Sequence, residues 1–208
     1  MNLQNYYWYF NKAIPERICD DIVKYGNLKK QKLAVTGPYQ EKKLSNTQIK
    51  NLKKVRDSNI VWLNDSWIYK EIHPYISFAN KAAGWNFNWD YSESCQFTKY
   101  KKGQYYDWHC DSDNEPYQKQ KEDPINGKIR KLSVTVTLSD PKNYKGGELE
   151  FDFRNMDPDK KRNIHKCKEI LPKGSVVVFP SFVWHRVCPV KSGERNSLVI
   201  WNLGYPFQ

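Results

Sequence analysis

Between Arg130 and Ser139 the chain alternates without a break. Leu132, Val134, Val136 and Leu138 fall on one side, and Ser133, Thr135, Thr137 and Ser139 on the other. A period of two puts successive side chains on opposite faces of a β-strand, so this run predicts a strand with one apolar face in a core. Its hydroxyl face is either solvated or lines a polar pocket. Residues 94–100, the turn Lys101-Lys102-Gly103-Gln104 and residues 105–111 read as a hairpin. After a turn through Gly146-Gly147 come strands at 148–151, 168–171, 175–179, 184–190 and 195–202, with Pro172-Lys173-Gly174 breaking the second from the third.

The first third of the chain has a different rhythm. Residues 6–10 predict an opening strand. Pro15-Glu16 then starts a helix, with Ile14, Ile18, Ile22 and Tyr25 at helical spacing and Gly26 as its end. A lysine-rich stretch to about residue 59 reads as loop with short pieces of structure, followed by a strand at 60–63. Residues 67–83 predict an amphipathic helix in spite of Pro74, and its His73 has no ligand-type neighbour. Residues 112–128 form a polar loop with an Asn126-Gly127 turn, which reads either as a lid or substrate clamp or as a surface insertion. A charged linker at 154–166 carries His165 among basic residues. Helices first and antiparallel strands later predict a mainly β fold with supporting helices, a barrel or jelly roll. One domain over 1–208 is expected, with a strand and supporting helices in 1–91 and the jelly-roll core in 92–208.

Composition narrows the classes. Of the 208 residues, 39% are hydrophobic and 15% aromatic, enough for a packed core and favourable for strands. No apolar run is long enough to span a bilayer, and the first residues lack the pattern of a signal peptide, so a cytoplasmic protein is expected. The five cysteines are scattered without a C-x-x-C pair, which predicts free thiols. A net charge of +11 attracts nucleic acid or an acidic protein, or is simply a solvated lysine surface. No recognition motif accompanies it, which favours the second reading. Oligomeric state is not legible.

The candidate chemistry centres on Tyr105-Tyr106-Asp107-Trp108-His109-Cys110-Asp111. On a strand, His109 and Asp111 share a face while Cys110 points away. An imidazole and a carboxylate together are two-thirds of a two-histidine, one-carboxylate iron site, and His185 is the candidate for the missing ligand. Alone, His-x-Asp is equally a histidine hydrogen-bonded to its neighbour. Arg195 follows His185 across the turn Lys191-Ser192-Gly193-Glu194 and would bring a fixed positive charge beside it. An arginine there suits a dicarboxylate co-substrate through two parallel hydrogen bonds. Arg195, Ser197, Val199 and Trp201 would share one strand face.

These pieces occur in a fixed order: Tyr100…Gly103…Tyr106…His109-Cys110-Asp111, Gly146-Gly147-Glu148-Leu149, Pro172…Gly174, Pro180-Ser181…His185…Pro189-Val190, then Gly193…Arg195…Trp201. The run resembles the prolyl 4-hydroxylase-type branch of the 2-oxoglutarate and Fe(II)-dependent dioxygenases, and most closely the small bacterial and phage PKHD-type hydroxylases. The resemblance covers residues 96–203 and implies a double-stranded β-helix (jelly roll, cupin-like) core. It implies that His109, Asp111 and His185 hold Fe(II). Arg195 would bind the distal carboxylate of 2-oxoglutarate, where collagen-type hydroxylases have lysine. Tyr100 and Thr137 match positions that hydrogen-bond the same co-substrate, and Trp201 matches a tryptophan beside the pocket. The implied reaction uses O2 and 2-oxoglutarate to hydroxylate a C–H bond, releasing succinate and CO2, with ascorbate as reductant. The expected substrate is a prolyl or similar residue in a peptide or protein, acidic or ribosome-associated given the charge. A nucleic-acid base hydroxylase or demethylase of the same superfamily and a non-catalytic jelly-roll binding module are the alternatives.

Overall fold

A computed structural model describes residues 3–35, 44–113, 115–154 and 159–207. Parts of the lysine-rich segment (36–43), the charged linker (155–158) and the polar loop (114) lie outside the described residues. In chain order, β1 (Trp8–Phe10) and α1 (Glu16–Leu28) come first, then β2 (Lys32–Leu33), α2 (Asn46–Val55), β3 (Arg56–Asp57), β4 (Asn59–Leu63) and α3 (Ser66–Ala82). The remaining strands are β5 (Tyr91–Ser92), β6 (Cys95–Tyr100), β7 (Tyr105–His109), β8 (Ile129–Thr137), β9 (Tyr144–Gly146) and β10 (Leu149–Asp152). They continue as β11 (Ile164–Lys166), β12 (Val176–Pro180), β13 (Trp184–Val187), β14 (Val190–Gly193) and β15 (Arg195–Gly204).

Two antiparallel sheets make the double-stranded β-helix. The major sheet runs β1-β12-β8-β15-β6-β4-β2 with β5 on β15, and the minor sheet runs β11-β10-β13-β7-β3. Period-two alternation serves two cores at once. Val134, Val136, Val176, Val178, Leu198 and Ile200 face the helices, where they meet Ile18, Ile22, Ile68, Ile72 and Ile76. The alternate residues Val177 and Phe179 face the minor sheet and pack with Leu149, Phe151, Val183 and Val187. Strands from the first 63 residues enter both sheets, so the N-terminal part builds the sheets as well as supporting them.

Three predicted elements are corrected. Residues 94–111 do not form a hairpin: β6 pairs with β15 and β4, whereas β7 crosses to the other sheet and pairs with β13 and β3. Residues 168–171 form a 3₁₀ turn (Lys168–Ile170), not a strand. The lysine-rich segment contains a ten-residue helix, α2, started by a capping box in which Ser45 and Gln48 satisfy each other's backbone N–H groups. Lys53 and Lys54 in its last turn sit favourably toward the helix dipole.

Gly26 does not end α1, which continues to Leu28. It is needed inside the helix because a Cβ there would lie 2.5 Å from Cδ1 of the Phe97 ring. Alanine improves helix propensity by about 1 kcal/mol, but forcing a methyl against a fully buried ring costs about 1–3 kcal/mol. Gly26→Ala should therefore lower stability in a urea titration by roughly 1 kcal/mol. A gain would mean that Phe97 moves aside freely.

Candidate metal centre

His109 and His185 are direct cross-strand partners on β7 and β13, so their rings rise from the same face of the minor sheet, 4.2 Å apart between centroids. Asp111 reaches them differently from expectation. Strand β7 ends at His109, and no strand parity extends to residue 111. Instead the Asp111 and Ser112 N–H groups both donate to the Ser181 carbonyl, at 2.8 and 3.0 Å, which turns the carboxylate inward. The Nε2 of His109 stands 3.7 Å from Asp111 Oδ1, and that of His185 stands 3.5 Å from Oδ2. One donor atom from each residue lies within 4.8 Å of the others.

The surroundings set these donors for a cation. His109 Nδ1 donates to the Asp107 carbonyl at 2.7 Å and His185 Nδ1 to the Val183 carbonyl at 2.9 Å. A carbonyl can only accept, so each Nδ1 carries a proton and each Nε2 is the ring nitrogen turned to the centre. Burial, reinforced by nearby His185, pulls the His109 pKa down to about 3, which keeps its Nε2 unprotonated near neutrality. Burial alone would raise Asp111, but His185, His109 and Arg130, together with the Ser133 hydroxyl donating to Oδ2 at 2.7 Å, hold it below its ordinary value. Two imidazoles and one carboxylate on one side of a pocket are a donor set that fits Fe(II).

The pocket beside the centre is lined from both sheets. Tyr100, Arg195, Ser197, Val199 and Trp201 come from the major sheet, and Tyr106, Leu149 and Val187 from the minor. The expected shared face of β15 is thus the pocket wall. Arg195 is 2% exposed, and its only described polar partner is Ser197 Oγ at 3.2 Å. A buried guanidinium without a carboxylate is costly, so this one is built to meet an anion. Gly147 makes room for it: a Cβ there would lie 2.8 Å from Arg195 Cδ. Tyr100 is the cross-strand partner of Arg195, whose guanidinium lies 5.6 Å from its ring centroid. Trp201 is buried, its Nε1 has no hydrogen-bond partner among the described residues, and Arg130 lies 4.0 Å over its ring.

Thr137 sits apart. Its hydroxyl donates to the Ile170 carbonyl at 2.7 Å, and Thr135, on the same strand face, is the threonine that lines the pocket. Tyr106, part of the motif but given no role from sequence, stacks on His109 at 3.5 Å, and Arg56, which was not anticipated, lies 4.5 Å over Tyr106. Arg56 was hidden in the lysine-rich segment; only the pairing of β3 with β7 brings it here. His73 bonds Ser92 Oγ, and His165 bonds the Tyr7 hydroxyl, so neither belongs to the centre.

Comparison with known proteins agrees with this geometry. The model of the 2OG-Fe(II) oxygenase superfamily matches residues 95–202. A PKHD-type hydroxylase of Hyphomonas neptunium is 38% identical over 98 residues, covering 44% of this chain and 39% of the relative. The PKHD-type hydroxylase YbiX of Escherichia coli O157:H7 is 35% identical over 106 residues, covering 50% and 40%. The chain thus matches about two-fifths of the length of these curated relatives. Among solved structures, a viral collagen prolyl hydroxylase from Paramecium Bursaria Chlorella virus-1 superposes with TM-score 0.61 at 21% identity, over 97% of both chains. A Pseudomonas putida prolyl-4-hydroxylase superposes with TM-score 0.63 at 17% identity, over 96% of this chain and 92% of that one. At such identities the structures establish the shared fold. With the family model spanning more than half of the sequence and the matched residues including the His-Asp-His centre, the chain belongs to the 2OG-Fe(II) oxygenase superfamily.

Proposed function

We propose that this protein is an Fe(II)- and 2-oxoglutarate-dependent dioxygenase that hydroxylates a prolyl or similar residue within a peptide or protein. One observation carries the reading: the His109–Asp111–His185 centre and the unpaired, buried Arg195 open into the same pocket. Fe(II), when bound with 2-oxoglutarate and O2, supplies oxidative C–H hydroxylation with release of succinate and CO2. The chain's own residues hold and orient the reactants. Arg195 grips the distal carboxylate of 2-oxoglutarate in a dry setting, where a charge-assisted pair is strongest. Tyr100 borders that carboxylate, and Trp201 and Tyr106 wall the side on which a substrate carbon must lie. Thr137 supports the wall through Ile170, and Thr135 and Ser197 offer hydroxyls on the co-substrate's side. Ascorbate is proposed as the external reductant. The proposed catalytic unit is the single domain 1–208, a reading supported by both sheets drawing strands from the N-terminal part.

A peptide substrate is supported by the names of the relatives and by the shared fold, one neighbour of which, a Trichoplax adhaerens prolyl hydroxylase, is in complex with a hypoxia inducible factor peptide fragment. The charge of +11 adds attraction to acidic peptides or an RNA-rich assembly such as the ribosome, through steering that weakens with salt. No helix of the described residues is long and apolar enough to cross a membrane. Five free cysteines fit a reducing compartment, and the cytoplasm is the proposed location. The reading is tested by screening peptides, free amino acids and oligonucleotides for a product heavier by one oxygen, formed only with Fe(II) and 2-oxoglutarate. Products on oligonucleotides alone would overturn the peptide assignment in favour of base hydroxylation.

The polar loop supplies a second test. Tyr117 N–H donates to the Lys128 carbonyl and Gly127 N–H to the Tyr117 carbonyl, both at 2.9 Å, so the loop closes on itself. Its base is tied to the pocket wall, because the Tyr117 hydroxyl donates to Glu93, which grips Arg130 through two bonds of 2.6 and 2.7 Å. Excising residues 118–126 therefore rejoins neighbouring backbone. The expected result is unchanged 2-oxoglutarate affinity with peptide turnover reduced on the order of 10–100-fold, the cost of losing orientation. Untouched peptide turnover would show that the loop is not a clamp.

A further inference from the structure

The polar loop between Asp111 and β8 contains one aromatic residue, Tyr117. Its main chain is held at both groups: the N–H donates to the Lys128 carbonyl, and the carbonyl accepts from the Gly127 N–H, both at 2.9 Å. Gly127 and Lys128 lead straight into β8, so Tyr117 is fixed to the entry of the strand that carries Arg130. The side chain is half-buried, and burial pushes its hydroxyl up to about 12, although Arg130 acts the other way. The group therefore stays protonated near neutrality and serves as a donor. Its acceptor is Glu93 Oε1, at 3.3 Å.

Glu93 is anchored through its own main chain. Its N–H donates to the Trp201 carbonyl at 2.9 Å, and its carbonyl accepts from the Tyr69 hydroxyl of α3 at 2.9 Å. Its carboxylate meets Arg130 in two bonds, Nε to Oε1 at 2.7 Å and Nη2 to Oε2 at 2.6 Å. A guanidinium is planar, so a two-pronged pair sets the plane of the group as well as its position. The guanidinium carbon lies 4.0 Å from the centroid of the Trp201 ring, and Trp201 is a buried wall of the metal pocket. The remaining Nη1 donates to the Asp111 carbonyl at 3.5 Å. Tyr117, Glu93, Arg130 and Trp201 thus form one connected path from the loop to the pocket, and polar groups linked in this way strengthen one another.

We propose that Tyr117 is a positioning residue: through Glu93 and Arg130 it sets where the Trp201 ring stands, so that the loop shapes the pocket through these bonds and not only by covering it. That Trp201 stands on the substrate's side rests on the hydroxylase reading, whereas the path itself does not. The two roles of the loop are separable. Excising residues 118–126 retains Tyr117 and the path, while Tyr117→Phe retains the loop and cuts the path at its first bond.

The test uses the full metal-free chain and the indole N–H signals of Trp85 and Trp201, assigned by Trp→Phe variants. Trp85 is the reference, since its N–H is bonded to the Asn5 carbonyl at 2.8 Å in the core on the helix side. Tyr117→Phe should move the Trp201 signal and leave Trp85 in place. Arg130→Lys keeps the charge but loses the fork, so it should move Trp201 as well, and adding Tyr117→Phe to it should cause no further movement. An unmoved Trp201 signal in Tyr117→Phe, equal movement of Trp85, or the same Tyr117→Phe displacement in both backgrounds would each overturn the proposal. Should Arg130→Lys fail to fold, Glu93→Gln, equally large and uncharged, takes its place in the same comparison. Calorimetry should give Tyr117→Phe the 2-oxoglutarate affinity of the unaltered protein to within about twofold, because the path reaches Trp201 and not Arg195, and a larger loss would also overturn it. The signals are read without metal, peptide or turnover, so the positioning role and the hydroxylase reading stand or fall separately.

Discussion

His185→Ala is expected to lose Fe(II) affinity by more than about 100-fold and to have no iron-dependent turnover. Losing a residue that merely supports a metal ligand costs about 10–100-fold, so the removal of a donor must exceed that. His185 qualifies as a donor because its Nδ1 is already committed to Val183 and its Nε2 faces Asp111. The fold should persist, since β13 is paired on both sides, with β10 and with β7. A native-like circular dichroism spectrum together with absent metal binding, read by isothermal titration, is the expected pair of results. His185→Gln, which retains volume and polarity, serves if the alanine variant is unstable. Full iron-dependent oxidation by either variant would place the metal elsewhere.

The second large effect concerns Arg195. Arg195→Ala should weaken 2-oxoglutarate by about 2–4 kcal/mol, or ~30- to 1,000-fold, because truncation leaves a carboxylate in a dry pocket without its partner. Metal affinity in the absence of co-substrate should hardly change. Arg195→Lys keeps the charge but loses the two-pronged geometry, so its loss should be intermediate. Gly147→Ala offers an independent check, since the added methyl would press on the Arg195 side chain without altering any polar group. Unchanged co-substrate affinity in Arg195→Ala would mean that another cation, Arg56 being the other buried arginine of the pocket, does the anchoring.

What could be read from the chain without its structure was whatever local periodicity encodes. The alternation in residues 130–139 gave β8 and both of its faces, and the helical spacing of Ile18 and Ile22 gave α1. The likeness of residues 96–203 to prolyl hydroxylases pointed to the three donors and Arg195. What escaped depended on distant partners. Which strand β7 chooses is a matter of sheet pairing between residues far apart, so a local hairpin was the natural but mistaken reading of residues 94–111. Gly26 looked like a helix end because nothing nearby announces the Phe97 ring that occupies its missing side chain's place. Helix α2 was legible in principle through Ser45 and Gln48, but the lysine-rich composition around it obscured the signal. Asp111 joined the histidines by a route that strand parity did not describe, a loop bonded to Ser181. Which threonine of β8 reaches the pocket depends on how far the minor sheet extends over the major one, and no local pattern records that.

The central claim is that the His109–Asp111–His185 centre and Arg195 form one site for metal and co-substrate. Binding at one must then alter binding at the other by an equal factor, because coupling between two ligands is reciprocal. The most direct measurement is an anaerobic calorimetric titration of 2-oxoglutarate into the metal-free protein and into the protein loaded with Fe(II). The account predicts one 2-oxoglutarate per chain, bound at least about tenfold more tightly with Fe(II), with that enhancement lost in Asp111→Ala. Equal affinity with and without Fe(II), or an enhancement that survives Asp111→Ala, would contradict it.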